Sequence, residues 1–215
     1  NSSLLRSIHD SLFWNLRIAM AIAAGTQERI ERINRIMSKT TSPDDMFIRK
    51  GETEKAHNLL KTWLSENPFS NLRICDPYFK TEDMILLKSF FDIIPNLNIS
   101  ILTHKQQYED LEVFQRMWNS ISSELTGEIK IVSVCFEEDQ GKSPIHDRWW
   151  VLYDDETGKR LGRRLPSING LGKRISEISE MDKSSINSFN QLWTDFFYDK
   201  KRREGDNRLI YAEIQ

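Results

Sequence analysis

The pattern of hydrophobic positions divides this chain into two parts. Over residues 3–38 apolar side chains recur at helical spacing, which predicts helices. A polar stretch with a proline, residues 38–45, predicts a linker. After the linker, short apolar runs alternate with amphipathic segments, as in sheets whose strands are connected by helices. We therefore expect a helical extension with its linker, residues 1–45, and an α/β domain, residues 46–215.

The α/β domain is predicted as a sheet covered by helices. Its strands are marked by apolar and β-branched runs, and its helices by a single apolar stripe. The predicted strands cover residues 72–75, 98–102, 129–136, 144–153 and 208–214. The predicted helices cover residues 52–64, 82–94, 107–125 and 187–201, and a further helix is expected to open within residues 167–174.

Composition and charge narrow the possible classes of partner. The hydrophobic fraction of 39% and charged fraction of 29% are ordinary for a soluble globular protein. The net charge is −2, so attraction to nucleic acids or anionic lipids must come from a local patch. We find no apolar run long enough to span a membrane. The chain begins at Asn1 rather than Met, and we expect it to be part of a longer protein.

The two cysteines indicate a cytoplasmic protein without a metal centre. Cys75 and Cys135 each lie inside an apolar run and have no metal-ligand spacing to other residues. We expect both to be reduced residues of the core, as is usual in the cytoplasm. No cofactor or metal is expected.

The strand predicted over residues 144–153 carries the candidate chemistry. Side chains alternate along a strand, so His146 and Arg148 would project from the same face. An imidazole beside a guanidinium can hold a phosphate, because the imidazole can attack or move a proton while the arginine holds two oxygens. The simpler alternative is a hydrogen-bonded core histidine and an arginine paired with Asp147.

Several elements in this order resemble the phospholipase D superfamily. His146 matches the nucleophile of the family's His-x-Lys motif, with Arg148 in place of the lysine, and Ser167-Ile168-Asn169 matches its Ser-x-Asn element. The strand that ends in Asp76-Pro77-Tyr78 resembles the opening strand of such domains. The run from residue 72 to about residue 197 is also similar to the phospholipase-D-like C-terminal domain of MIT-domain proteins and to bacterial domains with a His-Asp-Arg motif. The resemblance implies a mixed sheet flanked by helices.

The resemblance also implies roles for these residues. His146 would form a phosphohistidine, and Ser167 and Asn169 would contact the phosphate and orient the histidine. The motif departs from the family pattern, however. Arg148 keeps its charge under all conditions, and position 153, where the family has an acid, is Tyr153. The chain also holds a single copy of a motif that active enzymes use in pairs, so a homodimer would be needed to bring two together.

Basic residues cluster between positions 159 and 174. Lys159, Arg160, Arg163, Arg164, Lys173 and Arg174 lie there without an intervening acid. We predict that Arg163, Arg164, Lys173 and Arg174 bind the ligand together with Asp76, which follows a strand end where α/β sheets bind ligands. The alternative is a solvated surface paired with nearby acids.

Three functions remain open from the sequence. The favoured one is a degenerate phospholipase-D-like domain that binds a phosphate-containing ligand, nucleic acid or a phospholipid headgroup, as a sensing module of a larger bacterial protein. The second is an active homodimeric phosphodiesterase, a nuclease that uses His146 from each subunit. The third is an interaction module without a phosphate ligand, assembled through its N-terminal helices.

Overall fold

The computed structural model describes residues 46–104, 116–117, 119–120 and 127–214. The helices predicted over residues 3–38 lie outside this part of the chain, as does most of the helix predicted over 107–125. The division of the chain after residue 45 stays a prediction.

A mixed sheet forms the centre of the described domain. Its nine strands are β1 (Met46–Ile48), β2 (Asn71–Cys75), β3 (Asn98–His104), β4 (Ile129–Phe136), β5 (Trp149–Tyr153), β6 (Arg160–Arg164), β7 (Ser176–Glu180), β8 (Arg203–Glu204) and β9 (Asn207–Ile214). Their order across the sheet is β1-β7-β6-β5-β2-β3-β4-β9-β8. Strands β2, β3 and β4 run parallel, and every other neighbouring pair is antiparallel.

Three helices that are described over their full length flank the sheet: α1 (Thr53–Glu66), α2 (Met84–Phe91) and α3 (Lys183–Trp193), the last continued by a π-helical turn, Thr194–Tyr198. Helices α1 and α2 pack on one face of the sheet, and α3 packs on the other. Asp182 caps α3, since its Oδ1 accepts a hydrogen bond from Ser185 N at 2.7 Å.

Strand β5 shows how the sheet is held between the two helical layers. Adjacent Trp149 and Trp150 point to opposite faces, and both are buried. Trp150 meets Phe90 of α2 edge-on at 5.6 Å between ring centroids, and Trp149 meets Phe189 of α3 at 6.0 Å. Each ring buries a large apolar area, so β5 ties both layers to the centre of the sheet.

The predicted fold class is confirmed: the domain is α/β, with a mixed sheet flanked by helices. The strand Ile129–Phe136 has the predicted bounds. The loop at 154–158 connects the antiparallel strands β5 and β6. Cys75 and Cys135 are buried and are not joined in a disulfide, as expected. None of the helices in the described residues has the length and apolar character needed to cross a bilayer.

Two predictions about local structure were wrong. The strand expected to carry His146 begins only at Trp149, because its neighbour β2 ends at Cys75 and the chain then turns at Asp76 and Pro77. No continuous strand backbone is left there to pair with residues 146–148. The helix expected within residues 167–174 is a single 3₁₀ turn, Ile168–Gly170.

Candidate functional site

The candidate site residues gather at one edge of the sheet because of strand direction. Strand β5 is antiparallel to both β2 and β6, so Trp149 at its start pairs with Cys75 at the end of β2 and with Arg164 at the end of β6. The segments that precede β5 and follow β2 and β6 therefore meet. This edge includes the carboxyl end of β2, where ligands of α/β proteins commonly bind.

An open cleft of about 490 Å³ lies at this edge. The exposed side chains of His146, Arg148 and Arg164 line this cavity, which we call the cationic cleft. Trp149 forms an apolar wall, and the exposed carboxylates of Asp147 and Glu177 also line the cleft. The cleft thus holds two guanidiniums, one imidazole and two carboxylates.

The cationic groups of the cleft are available to a ligand. The imidazole of His146 makes no hydrogen bond to another described residue. The guanidinium of Arg148 lies 5.9 Å from the centroid of the Tyr78 ring, and Arg164 donates a hydrogen bond to Ser185 Oγ. Within the described part of the chain, neither arginine comes within ion-pair distance of a carboxylate.

The carboxylate of Asp76 lies beneath this edge and is only 1% exposed. It accepts hydrogen bonds from Tyr78 N at 2.9 Å, Ser167 Oγ at 2.9 Å and Ile168 N at 3.2 Å. Burial raises the pKa of Asp76, and these hydrogen bonds together with the charge of Arg148 oppose that shift. Asp76 therefore ties the end of β2 to the turn after β6.

Asn169 faces a second buried carboxylate rather than the cationic cleft. Its Nδ2 donates to Tyr78 O at 2.6 Å and to Asp83 Oδ2 at 3.2 Å. Asp83 also accepts from Lys80 N at 2.7 Å. Burial raises the pKa of Asp83 to about 6, although the bonds from Lys80 and Asn169 pull in the opposite direction. We call Asp76, Asp83, Ser167 and Asn169 the carboxylate cluster.

Sequence reasoning did not identify Asp83. A weak signal existed, because an acid just before an apolar helical run commonly bonds to backbone N–H groups at the helix start. Asp83 and Asn169 line a second cleft, also about 490 Å³, together with His57, Lys61 and Lys173. Lys173 therefore lies away from the cationic cleft.

The basic residues between 159 and 174 do not share one surface. Alternation along β6 places Arg164 on the α3 side of the sheet and Arg163 on the α1 side, where its guanidinium lies 5.9 Å from the Trp63 ring centroid. Arg174 is exposed in the loop before β7 and does not line either cleft described here. Only Arg164 of the four predicted ligand-binding basic residues lines the cationic cleft.

The described residues contain no group of three or more His, Cys, Asp or Glu side chains placed to hold a metal ion.

Comparison with known proteins gives low similarity. No family model matches the chain, and no curated protein matches it. Among solved structures, polyphosphate kinase from Porphyromonas gingivalis is similar with a TM-score of 0.47 and 12% identity. The similarity covers 85% of this chain and 26% of the kinase chain. TrmBL2, an archaeal chromatin protein, is similar with a TM-score of 0.37 and 11% identity over 86% of this chain and 65% of its own. At this level neither protein's activity transfers to this chain.

Proposed function

We propose that this chain binds a phosphodiester in the cationic cleft and serves as a binding or sensing module of a larger protein. The observation that carries the proposal is the convergence of His146, Arg148 and Arg164 on one open cleft without a carboxylate partner in the described residues. Guanidiniums bind phosphate oxygens in pairs, and an imidazole adds a further hydrogen bond.

The charge of the cleft supports a phosphodiester over a phosphate monoester. Asp147 and Glu177 share the cleft with the two arginines, so the fixed charges nearly balance. A diester carries one negative charge and a monoester carries close to two near neutral pH. In a cleft whose fixed charges nearly cancel, the second charge gains little net attraction, while removing it from water costs additional free energy. Nucleic acids and phospholipids both supply phosphodiesters.

The position of the Ser-x-Asn element supports binding rather than catalysis. The hydroxyl of Ser167 donates to the buried carboxylate of Asp76, and the amide of Asn169 donates to Tyr78 O and Asp83. Neither group lines the cationic cleft. A phosphate in the cleft would therefore lack the two polar contacts that the phospholipase D resemblance implies.

A second candidate function is the homodimeric phosphodiesterase. The observation in its favour is the exposed imidazole of His146, which is accessible to a second copy. One His146 would attack phosphorus and form a phosphohistidine, while the His146 of the second copy protonates the departing oxygen. Water would then attack the phosphohistidine, pass a proton to that second histidine and release the phosphate.

Binding assays with two probes test the proposal. A fluorescent single-stranded DNA and vesicles of phosphatidylglycerol in phosphatidylcholine represent the two sources of phosphodiester. We expect the double variant Arg148→Gln/Arg164→Gln to lose about tenfold or more in affinity for the probe that binds, because two charge-assisted contacts are removed. Arg163→Gln is the matched control, since Arg163 is next to Arg164 in sequence but lies on the opposite face of β6.

The results separate the candidates. Equal affinity of the double variant and the control would contradict a phosphodiester site in this cleft. Hydrolysis of bis(p-nitrophenyl) phosphate in the presence of chelator, abolished by His146→Ala, would favour the phosphodiesterase. Failure of both probes to bind the wild-type chain would leave the interaction module as the remaining function.

A further inference from the structure

A second group of cations lies at the other end of the β5–β6 hairpin from the cationic cleft. Arg73 of β2 and Arg160 of β6 both contact the ring of Tyr153, with guanidinium carbons 4.4 Å and 4.9 Å from its centroid. Tyr153 pairs with Asn71 and with Arg160 in the sheet, whereas the cleft lies beside Trp149. The two sites are separated by the length of β5, about 13 Å at strand spacing.

The turn that follows helix α3 contacts this cluster and has an uncommon geometry. The turn, Thr194–Tyr198, is π-helical, a rare geometry that often occurs at functional sites. This turn places the hydroxyl of Tyr198 where it accepts a hydrogen bond from Arg73 Nη2 at 2.9 Å. The Tyr198 side chain is nevertheless 57% exposed, so the cluster reaches the surface.

The two guanidiniums of the cluster have no direct carboxylate partner in the described part of the chain. Neither Arg73 nor Arg160 forms an ion pair with a carboxylate there. The Nε atom of Arg160 is buried and has no hydrogen-bond partner. Buried donors in folded proteins are nearly always satisfied, so the hydrogen-bonding capacity of the Arg160 guanidinium is not fully used within the described residues.

We propose that Arg73 and Arg160 form a second anion site, which binds the phosphate group of a small phosphate monoester. The anion accepts hydrogen bonds from the terminal N–H groups of the two guanidiniums, while Tyr153 keeps both guanidiniums in place through cation–π contacts. The nearest acids in sequence, Asp154 and Asp155, bond to Thr157 and Asn71, and no carboxylate of the described residues pairs with the two guanidiniums, which suits a doubly charged monoester. The exposed ring of Tyr198 offers a stacking surface for a base.

Nuclear magnetic resonance of the arginine Nε–H groups tests this site directly in the wild-type chain. Titration with ribose 5-phosphate is expected to shift the Arg160 Nε–H signal and that of Arg73, with little change at Arg202, an exposed arginine outside the cluster. Titration with adenosine monophosphate distinguishes the source of the phosphate. If adenosine monophosphate binds more tightly than ribose 5-phosphate, and Tyr198→Ala reduces this difference, the natural ligand is a nucleotide. If the two compounds bind equally, the natural ligand has no base.

Variants separate this site from the cationic cleft. Arg160→Gln is expected to weaken ribose 5-phosphate binding at least tenfold, and Arg148→Gln/Arg164→Gln should leave it within twofold of wild type. Arg202→Gln serves as the matched control. Absence of a shift at Arg160 in the wild-type chain, or equal affinity in Arg160→Gln and Arg202→Gln, would overturn the second site without bearing on the phosphodiester proposal.

Discussion

The carboxylate cluster and the cationic cleft occupy the same edge of the sheet but differ in almost every physical respect. Asp76 and Asp83 are buried and accept hydrogen bonds from backbone and side-chain donors. The side chains of His146 and Arg148 are exposed, and neither hydrogen-bonds to the described residues. The carboxylates of the cluster are thus satisfied within the protein, whereas the cationic cleft has unused donors.

This difference separates residues that hold the edge together from residues that can meet a ligand. Buried carboxylates lower the energy of the fold only while their hydrogen bonds are intact, so their removal is costly. Exposed cations contribute little to stability, because water solvates them in both folded and unfolded states. Substitutions in the cluster should therefore change the free energy of unfolding, and substitutions in the cleft should change binding.

The largest effect is expected from Asp76→Ala. This change leaves the donors of Tyr78, Ser167 and Ile168 without their acceptor in a buried place. We expect the free energy of unfolding to fall by about 3 kcal/mol or more, as measured by urea denaturation near neutral pH. Asp147→Ala, which removes an exposed carboxylate of the cleft, is the matched control and should cost less than about 0.5 kcal/mol. Similar losses of unfolding free energy in Asp76→Ala and Asp147→Ala would contradict the distinction between the carboxylate cluster and the cationic cleft.

The second-largest effect is the pH dependence that Asp83 gives to the free energy of unfolding. Its pKa is about 6 in the folded chain, compared with 3.8 ordinarily. Between these values the folded state keeps a proton that the unfolded state has lost, so stability falls as pH rises from about 4 to 6. After allowance for partial solvent screening, the free energy of unfolding falls by about 2 kcal/mol over this pH range.

The variant Asp83→Asn isolates this contribution. The amide oxygen can accept the same bonds from Lys80 N and Asn169 Nδ2, because both reach a single oxygen of Asp83. Relative to wild type, the free energy of unfolding of the variant should increase by about 2 kcal/mol between pH 4 and pH 7. Urea denaturation at both pH values measures the difference. A difference that stays constant with pH would show that Asp83 is ionised at little cost.

A smaller effect is expected from Ser167→Ala. The variant loses one hydrogen bond to Asp76, while the backbone donors of Tyr78 and Ile168 remain. We expect a loss of about 1 kcal/mol in urea denaturation and phosphodiester affinity within twofold of wild type. Arg164→Ala should show the reverse, with weaker binding and little change in stability. A strong binding defect in Ser167→Ala would place the hydroxyl at the ligand after all.

Much of the fold could be predicted from local sequence, because most of its strands and helices carry their own pattern of apolar residues. The run Ile129–Phe136 is rich in β-branched residues and has the predicted bounds. Strand β1 and strand β7 were missed, since Met46–Ile48 is short and Ser176–Glu180 is largely polar. Such strands form because a neighbouring strand offers hydrogen bonds, and a local pattern does not reveal that neighbour.

The candidate site was predicted only in part for a similar reason. The sequence placed Asp76 at a strand end and Arg148 within a strand, whereas Arg148 lies just before β5. Sequence order also does not show which polar groups hydrogen-bond to each other. Ser167 turns toward Asp76, and Asn169 turns toward Asp83, because buried carboxylates compete for every nearby donor. The grouping of Arg163 with Arg164 failed because adjacent residues on a strand face opposite sides.

The smallest effect on stability is expected from His146→Ala, and this variant sharpens the comparison most. The imidazole is exposed and makes no hydrogen bond to the described residues, so the free energy of unfolding should change by less than about 0.5 kcal/mol. Phosphodiester affinity should still fall about three- to tenfold, because one hydrogen bond to the anion is lost. Urea denaturation and fluorescence anisotropy with the DNA probe measure the two quantities on the same sample. A large loss of stability with unchanged affinity would mean that His146 belongs with the carboxylate cluster as a structural residue, and the cleft would then keep only its two arginines.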